Sequence, residues 1–194
     1  MLSCRLCLLI KNKFFCFMYS TITFGIIIVT CIISWVSFNN YNLKNKLILS
    51  PSRVFNQKEI WLLFTHAFIH ADFLHLFFNM YVLYMFGPYI EIYFGNHAAL
   101  GDFTFLIFYL CAAIFATIPS LYKHGNNPNY LSLGASGAVS AIVFSYIVLN
   151  PLKELGIVLL PGIWIPGFIF GVLYILAENY MARKNIPILR MMHI

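Results

Sequence analysis

Three histidines, an aspartate and an asparagine crowd the stretch His66-Ala-Phe-Ile-His70-Ala-Asp72-Phe-Leu-His75-Leu-Phe-Phe-Asn79. His75 and Asn79 are four apart, so on a helix they project from one face toward one place, while Leu76, Phe77 and Phe78 face lipid or neighbouring helices. Two hydrogen-bond donors aimed at one point in a dry setting are what a developing oxyanion requires. The second informative stretch is Leu133-Gly134-Ala135-Ser136-Gly137-Ala138-Val139-Ser140. Glycines on both sides of Ser136 let a substrate backbone approach its hydroxyl, and a serine at a helix start has a backbone N–H beside it to serve the same oxyanion.

Each stretch also has a plainer reading. Histidine and asparagine are common interhelical hydrogen-bonding groups in membrane bundles, and Gly134 with Ala138, or Ser136 with Ser140, are small-xxx-small pairs that let two helices pack closely. His66 and His70, with Asp72 and His75 nearby, could offer ligands to zinc, although HExxH is absent and no acidic set stands deeper in the apolar runs.

The elements that must position these groups follow from composition. Of 194 residues, 61% are hydrophobic and 9% charged, against about a quarter charged in soluble domains, and the mean hydropathy is +0.84. An ordinary soluble globule is excluded, and a chain with 20 Phe and 12 Tyr does not stay solvated and disordered either. The net charge of +6 falls between apolar runs and forms no stripe that could follow a phosphate backbone, so it is read as contact with lipid headgroups. The cysteines Cys4, Cys7, Cys16, Cys31 and Cys111 are odd in number and show no disulfide framework. Cys4 and Cys7 form a CxxC with no second pair or nearby histidine to complete a metal set.

No charge interrupts the chain between Lys13 and Lys44, and residues 14–38 form a first span that is expected to be retained, since no cleavage site is visible. Residues 39–59 are polar and basic and form the longest loop. Residues 73–90 form span two, closed by Gly87, Pro88 and Glu91, and residues 103–122 form span three, ending near Pro119. Residues 134–149 and 155–177 form spans four and five, the last carrying a GxxxG at Gly167 and Gly171 that is read as a packing face. No sixth span fits after Glu178. The expected architecture is all-α: a polytopic membrane helix bundle of about five spans, with a basic segment at 1–13, a membrane domain at 14–182 and an irregular tail at 183–194.

The order of these motifs resembles the rhomboid family of intramembrane serine proteases: HxxxHxxxxHxxxN at the second span, Gly87 and Glu91 where it ends, then GxSG at the fourth. The resemblance runs from about Trp61 to about Asn179. It implies that Ser136 is the nucleophile, that His75 and Asn79 with the Ser136 N–H form the oxyanion hole, and that His66 and His70 are supporting polar residues near the cavity. It further implies a serine endopeptidase that cuts transmembrane segments of membrane proteins through an acyl-enzyme. Neither cofactor nor metal is expected, and the partners are transmembrane substrates and the lipid bilayer, with no nucleic acid. The expected location is the cell membrane, as a multi-pass protein.

Two departures from the family pattern bear on activity. Trp61 is followed by Leu62 where rhomboids often carry Arg. The family's general base, a histidine on a sixth span, has no counterpart, because the only histidine after Ser136 is His193, which has no apolar helix to hold it. Residues 183–194 read as the end of a loop followed by unrelated sequence, as in a truncated or frame-shifted member, and a bundle short of one helix is expected to be poorly stable or to recruit a partner helix. Little or no activity is the expectation, since losing a triad member costs about a thousandfold or more. The alternative is a non-catalytic rhomboid-like protein that binds other transmembrane helices.

Overall fold

A computed structural model describes residues 21–156 and 164–184. Among them the elements are α1 (Thr21–Phe38), α2 (Tyr41–Leu47), α3 (Pro51–Gln57), α4 (Leu62–Thr65), a 3-10 turn (His66–Phe68), α5 (Phe73–His97), α6 (Phe103–His124), α7 (Ser136–Leu149), β1 (Glu154–Gly156), β2 (Trp164–Pro166) and α8 (Gly167–Lys184). Helices α1, α5 and α6 are long and apolar enough to cross a membrane, while α7 and the Gly167–Leu176 part of α8 are shorter apolar helices. The chain is an integral multi-pass membrane protein built as a helical bundle. Exposed Ile28, Ile32, Trp35, Phe77, Tyr84 and Phe115 along the long helices suit contact with lipid tails.

Several boundaries differ from the sequence expectation. Helix α5 does not stop at Gly87, Pro88 and Glu91 but runs through them to His97. Proline removes one intrahelical donor, yet Gly87 and Glu91 serve the packing of α1 and do not end the helix. The fully buried Glu91 carboxylate accepts from Ile22 N at 2.9 Å, Thr23 N at 2.8 Å and Thr23 Oγ1 at 2.6 Å. A carboxylate at the first turn of a helix satisfies orphan amides and opposes the helix dipole. One turn earlier, a Cβ at Gly87 would come 2.7 Å from Thr23 Cγ2, so the two backbones approach closely there.

Likewise α6 continues past Pro119 to His124. The fifth apolar run is not one helix: Leu155 pairs with Ile165 in an antiparallel ribbon, and α8 begins only at Gly167. Pro166 has no N–H to extend a ladder and sits just ahead of the helical first turn, which fits a strand ending there. The loop at 39–59 contains two short helices, α2 capped by Asn40 Oδ1 on Leu43 N at 3.0 Å and α3 begun by Pro51. Residues 14–20 of the first span, Cys4, Cys7 and Cys16, and the tail from 185 with His193 lie outside the described residues.

Helix α5 lies against α1, α6 and α7, and the core is formed by residues such as Leu83 and Ile90 of α5, Phe105 and Tyr109 of α6, and Ala138 and Ile142 of α7. A Cβ at Gly137 would collide with Ala116 Cβ, so α7 presses directly onto α6 at that point. Helix α8 attaches to α7 through Ser140 Oγ and Tyr174 Oη at 2.8 Å, and Gly171 of the GxxxG faces Phe144 and Ile147. The long first loop is tied to the chain entering α7 by paired bonds, Leu49 N to Ser132 O at 2.9 Å and Ser132 N to Leu49 O at 3.0 Å.

Candidate active site

The chain enters α7 through a turn that only glycine fits. Gly134 has φ of +110°, and a Cβ there would come 2.7 Å from His75 Cε1 and 2.9 Å from Nε2. The left-handed backbone and the absence of room are separate reasons for the same residue. They also mean that the His75 ring lies directly over the backbone that leads into Ser136.

Ala135, the N-cap of α7, makes no side-chain cap. Ser, Thr, Asn or Asp at such a position stabilises a helix by about 0.5–2 kcal/mol over Ala, so α7 forgoes that stabilisation and keeps its first amides open to a ligand. The helix that carries His75 is built the other way: Asp72 Oδ1 accepts from His75 N at 2.8 Å and caps α5. This fixes the helix start from which His75 and Asn79 project.

His75 and Asn79 are both buried, one turn apart on α5. Asn79 Nδ2 donates to the His75 carbonyl at 2.9 Å, which occupies one of the two amide hydrogens. Ser136 is half-buried at the first position of α7. His66 donates from Nδ1 to the Leu62 carbonyl at 3.0 Å, and its own carbonyl accepts from Gly134 N at 2.9 Å. His70 contacts Ser34 Oγ through Nδ1 at 2.9 Å, accepts from Ala135 N at Nε2 at 3.3 Å, and stands edge to face with His75 at 5.0 Å between ring centroids.

His66 and His70 lie ahead of α5, outside the spanning helices. Burial pushes His66 down to about 4, against the opposing pull of the Leu62 carbonyl. Burial, and then the adjacent His75, pushes His70 down to about 3. Both imidazoles are neutral near pH 7.

The zinc reading of this stretch loses its ligands. His70 has both ring nitrogens engaged, His66 has Nδ1 engaged, and Asp72 is a helix cap. Among the described residues no group of three or more His, Cys, Asp or Glu is placed to hold a metal ion. What remains is a hydroxyl at an uncapped helix start, entered by a turn that packs against the His75 ring. Such a set can add an oxygen nucleophile to a carbonyl and receive the resulting negative charge.

The other described histidines, His97 and His124, make contacts of their own. His97 lies about 33 Å along α5 from His75 at 1.5 Å per residue and stacks on Tyr93. His124 stacks on Tyr130. In the first loop Arg53 pairs with Glu59 and donates to the Asn45 carbonyl at 2.6 Å. Ser34 was not singled out by sequence reasoning, since a serine inside an apolar run carries no motif.

Residues 57–187 match the Rhomboid domain. The chain is 35% identical over 98 residues to Presenilin-associated rhomboid-like protein A, mitochondrial, of Danio rerio, which covers 50% of this chain and 24% of that protein. It is 32% identical over 130 residues to RHOMBOID-like protein 12, mitochondrial, of Arabidopsis thaliana, covering 61% of this chain and 38% of that protein. The matched parts amount to well under half of either relative. The domain match takes in both motif stretches, the Gly134 turn and helices α5 to α8, and on that ground the chain belongs to the rhomboid family.

Proposed function

We propose that this protein carries the site of an intramembrane serine endopeptidase that cuts transmembrane segments. The observation that carries the reading is the uncapped start of α7 at Ser136, faced across the Gly134 turn by the His75 ring. Ser136 Oγ adds to the scissile carbonyl as its proton passes to water or to a dissolved base such as imidazole, and the same carrier later protonates the departing amine. The oxyanion is received by the Ser136 N–H, the His75 ring N–H and the second hydrogen of the Asn79 amide. Collapse expels the amine, which takes a proton, and water hydrolyses the acyl-serine.

The described histidines near Ser136 are engaged elsewhere, as His66 and His70 are, or cast as an oxyanion donor, as His75 is, so a dissolved base is expected to raise the rate. Incubation of the purified chain in lipid with a helix-destabilised transmembrane substrate tests the reading. The expected result is cleavage about a thousandfold or more below that of a complete triad, abolished by Ser136→Ala and accelerated by added imidazole. Cleavage that survives Ser136→Ala contradicts it.

The engagement of His66 and His70 in hydrogen bonds within the bundle favours one alternative, a non-catalytic member that binds transmembrane helices. Retained binding of a transmembrane partner, with no cleavage even when imidazole is added, supports that alternative. Both relatives are named as mitochondrial, which favours a mitochondrial membrane over the cell membrane expected from sequence.

A further inference from the structure

Ser34 is fully buried in α1, yet its hydroxyl is doubly engaged. It donates to the Phe68 carbonyl at 3.0 Å and lies 2.9 Å from His70 Nδ1. A hydroxyl has one proton. With that proton on the Phe68 carbonyl, Nδ1 is the donor in the second contact. On the far side of the ring, Ala135 N–H reaches Nε2 at 3.3 Å, which requires a lone pair there. Two independent contacts thus ask for the same neutral tautomer, protonated on Nδ1.

We propose that His70, in that tautomer, is a positioning residue for the Ser136 site, tying the turn that opens α7 to the first span through Ser34, His70 and Ala135. The inference rests on the reading of Ser136 as nucleophile, and it adds two residues that touch no reacting atom. Its physical content lies in the amides. Gly134 N–H is held by the His66 carbonyl and Ala135 N–H by His70, so Ser136 carries the next amide in the chain and the first of α7. Ala135 is fully buried. Without His70 its N–H loses a partner where water cannot replace it, and the turn must rotate to find another, carrying the Ser136 amide with it. A second proton on His70 would set an N–H against the Ala135 N–H.

Nitrogen NMR of the histidine-labelled full chain in lipid nanodiscs tests the tautomer without any need for catalysis. The expected result is a neutral imidazole protonated on Nδ1, assigned by its loss in His70→Gln and shifted in Ser34→Ala. An Nε2-protonated ring, or one insensitive to Ser34→Ala, overturns the proposal. Binding of a peptide boronate, which adds reversibly to a serine hydroxyl, tests the positioning. His70→Gln keeps a donor and an acceptor and is expected within about threefold of the parent chain, whereas His70→Leu removes both and weakens binding by about tenfold or more. Should His70→Leu fail to fold, Ser34→Ala is expected to weaken binding in the same direction. Folded variants that all bind equally overturn the positioning role, and a parent chain that binds no boronate counts against the peptidase reading while the spectra still decide the tie.

Discussion

At the scale of residues, the site depends on a few positions where one atom more or less is decisive. Gly134→Ala forces a side chain into the His75 ring and into a left-handed backbone. The expected loss of stability is on the order of 1–3 kcal/mol, read by unfolding in detergent, with serine-dependent activity lost as well. His66 and His70 make the fold sensitive to acid. Their native values of about 4 and about 3 lie below the ordinary 6.5. Between the ordinary value and those native values the unfolded chain binds more protons, so stability rises with pH across that window and is lost as pH falls below about 6.5. Melting temperature followed from neutral to mildly acid pH measures this, and His70→Gln is expected to flatten the slope.

The histidine and glycine-serine motifs were legible in the sequence because their spacing is local: four residues apart on a helix, or contiguous in a turn. Ser34 was not legible, since its partners Phe68 and His70 are more than thirty positions away. Asp72, weighed as a metal ligand, is a cap whose role becomes visible only once α5 is seen to begin at Phe73.

At the scale of elements, apolar runs located the helices, while proline and glycine were misleading markers of their ends. Pro88 and Pro119 sit inside α5 and α6, and the acid expected to close span two instead caps α1 across the bundle. In a membrane, helices associate through close packing and hydrogen bonds more than through burial of apolar surface. The contact of Gly137 with Ala116 is therefore the place to test how α7, and Ser136 with it, is seated. Gly137→Val is expected to cost about 1–3 kcal/mol by overpacking, measured by unfolding in detergent. Ala116→Gly in the same chain is expected to recover most of that loss, and a double variant no better than Gly137→Val speaks against this seating of the helix.

At the scale of the whole molecule, composition alone identified a multi-pass membrane bundle, because 9% charge leaves too little polar surface for a soluble domain. The division of the fifth run into a ribbon and a helix was missed because its length suggested a span, although Pro166-Gly167 marks the break where the helix begins. The central claim is that Ser136, His75 and Asn79 act on one oxyanion. The most direct test is boron NMR of a peptide boronate bound to the full chain in lipid, because the adduct requires a serine hydroxyl and oxyanion donors but no proton acceptor. The account predicts a tetrahedral boron signal that disappears in Ser136→Ala, with affinity lowered about a hundredfold in His75→Ala and in Asn79→Ala. A tetrahedral adduct that persists in Ser136→Ala, or one bound as tightly without His75 and Asn79 as with them, would contradict it.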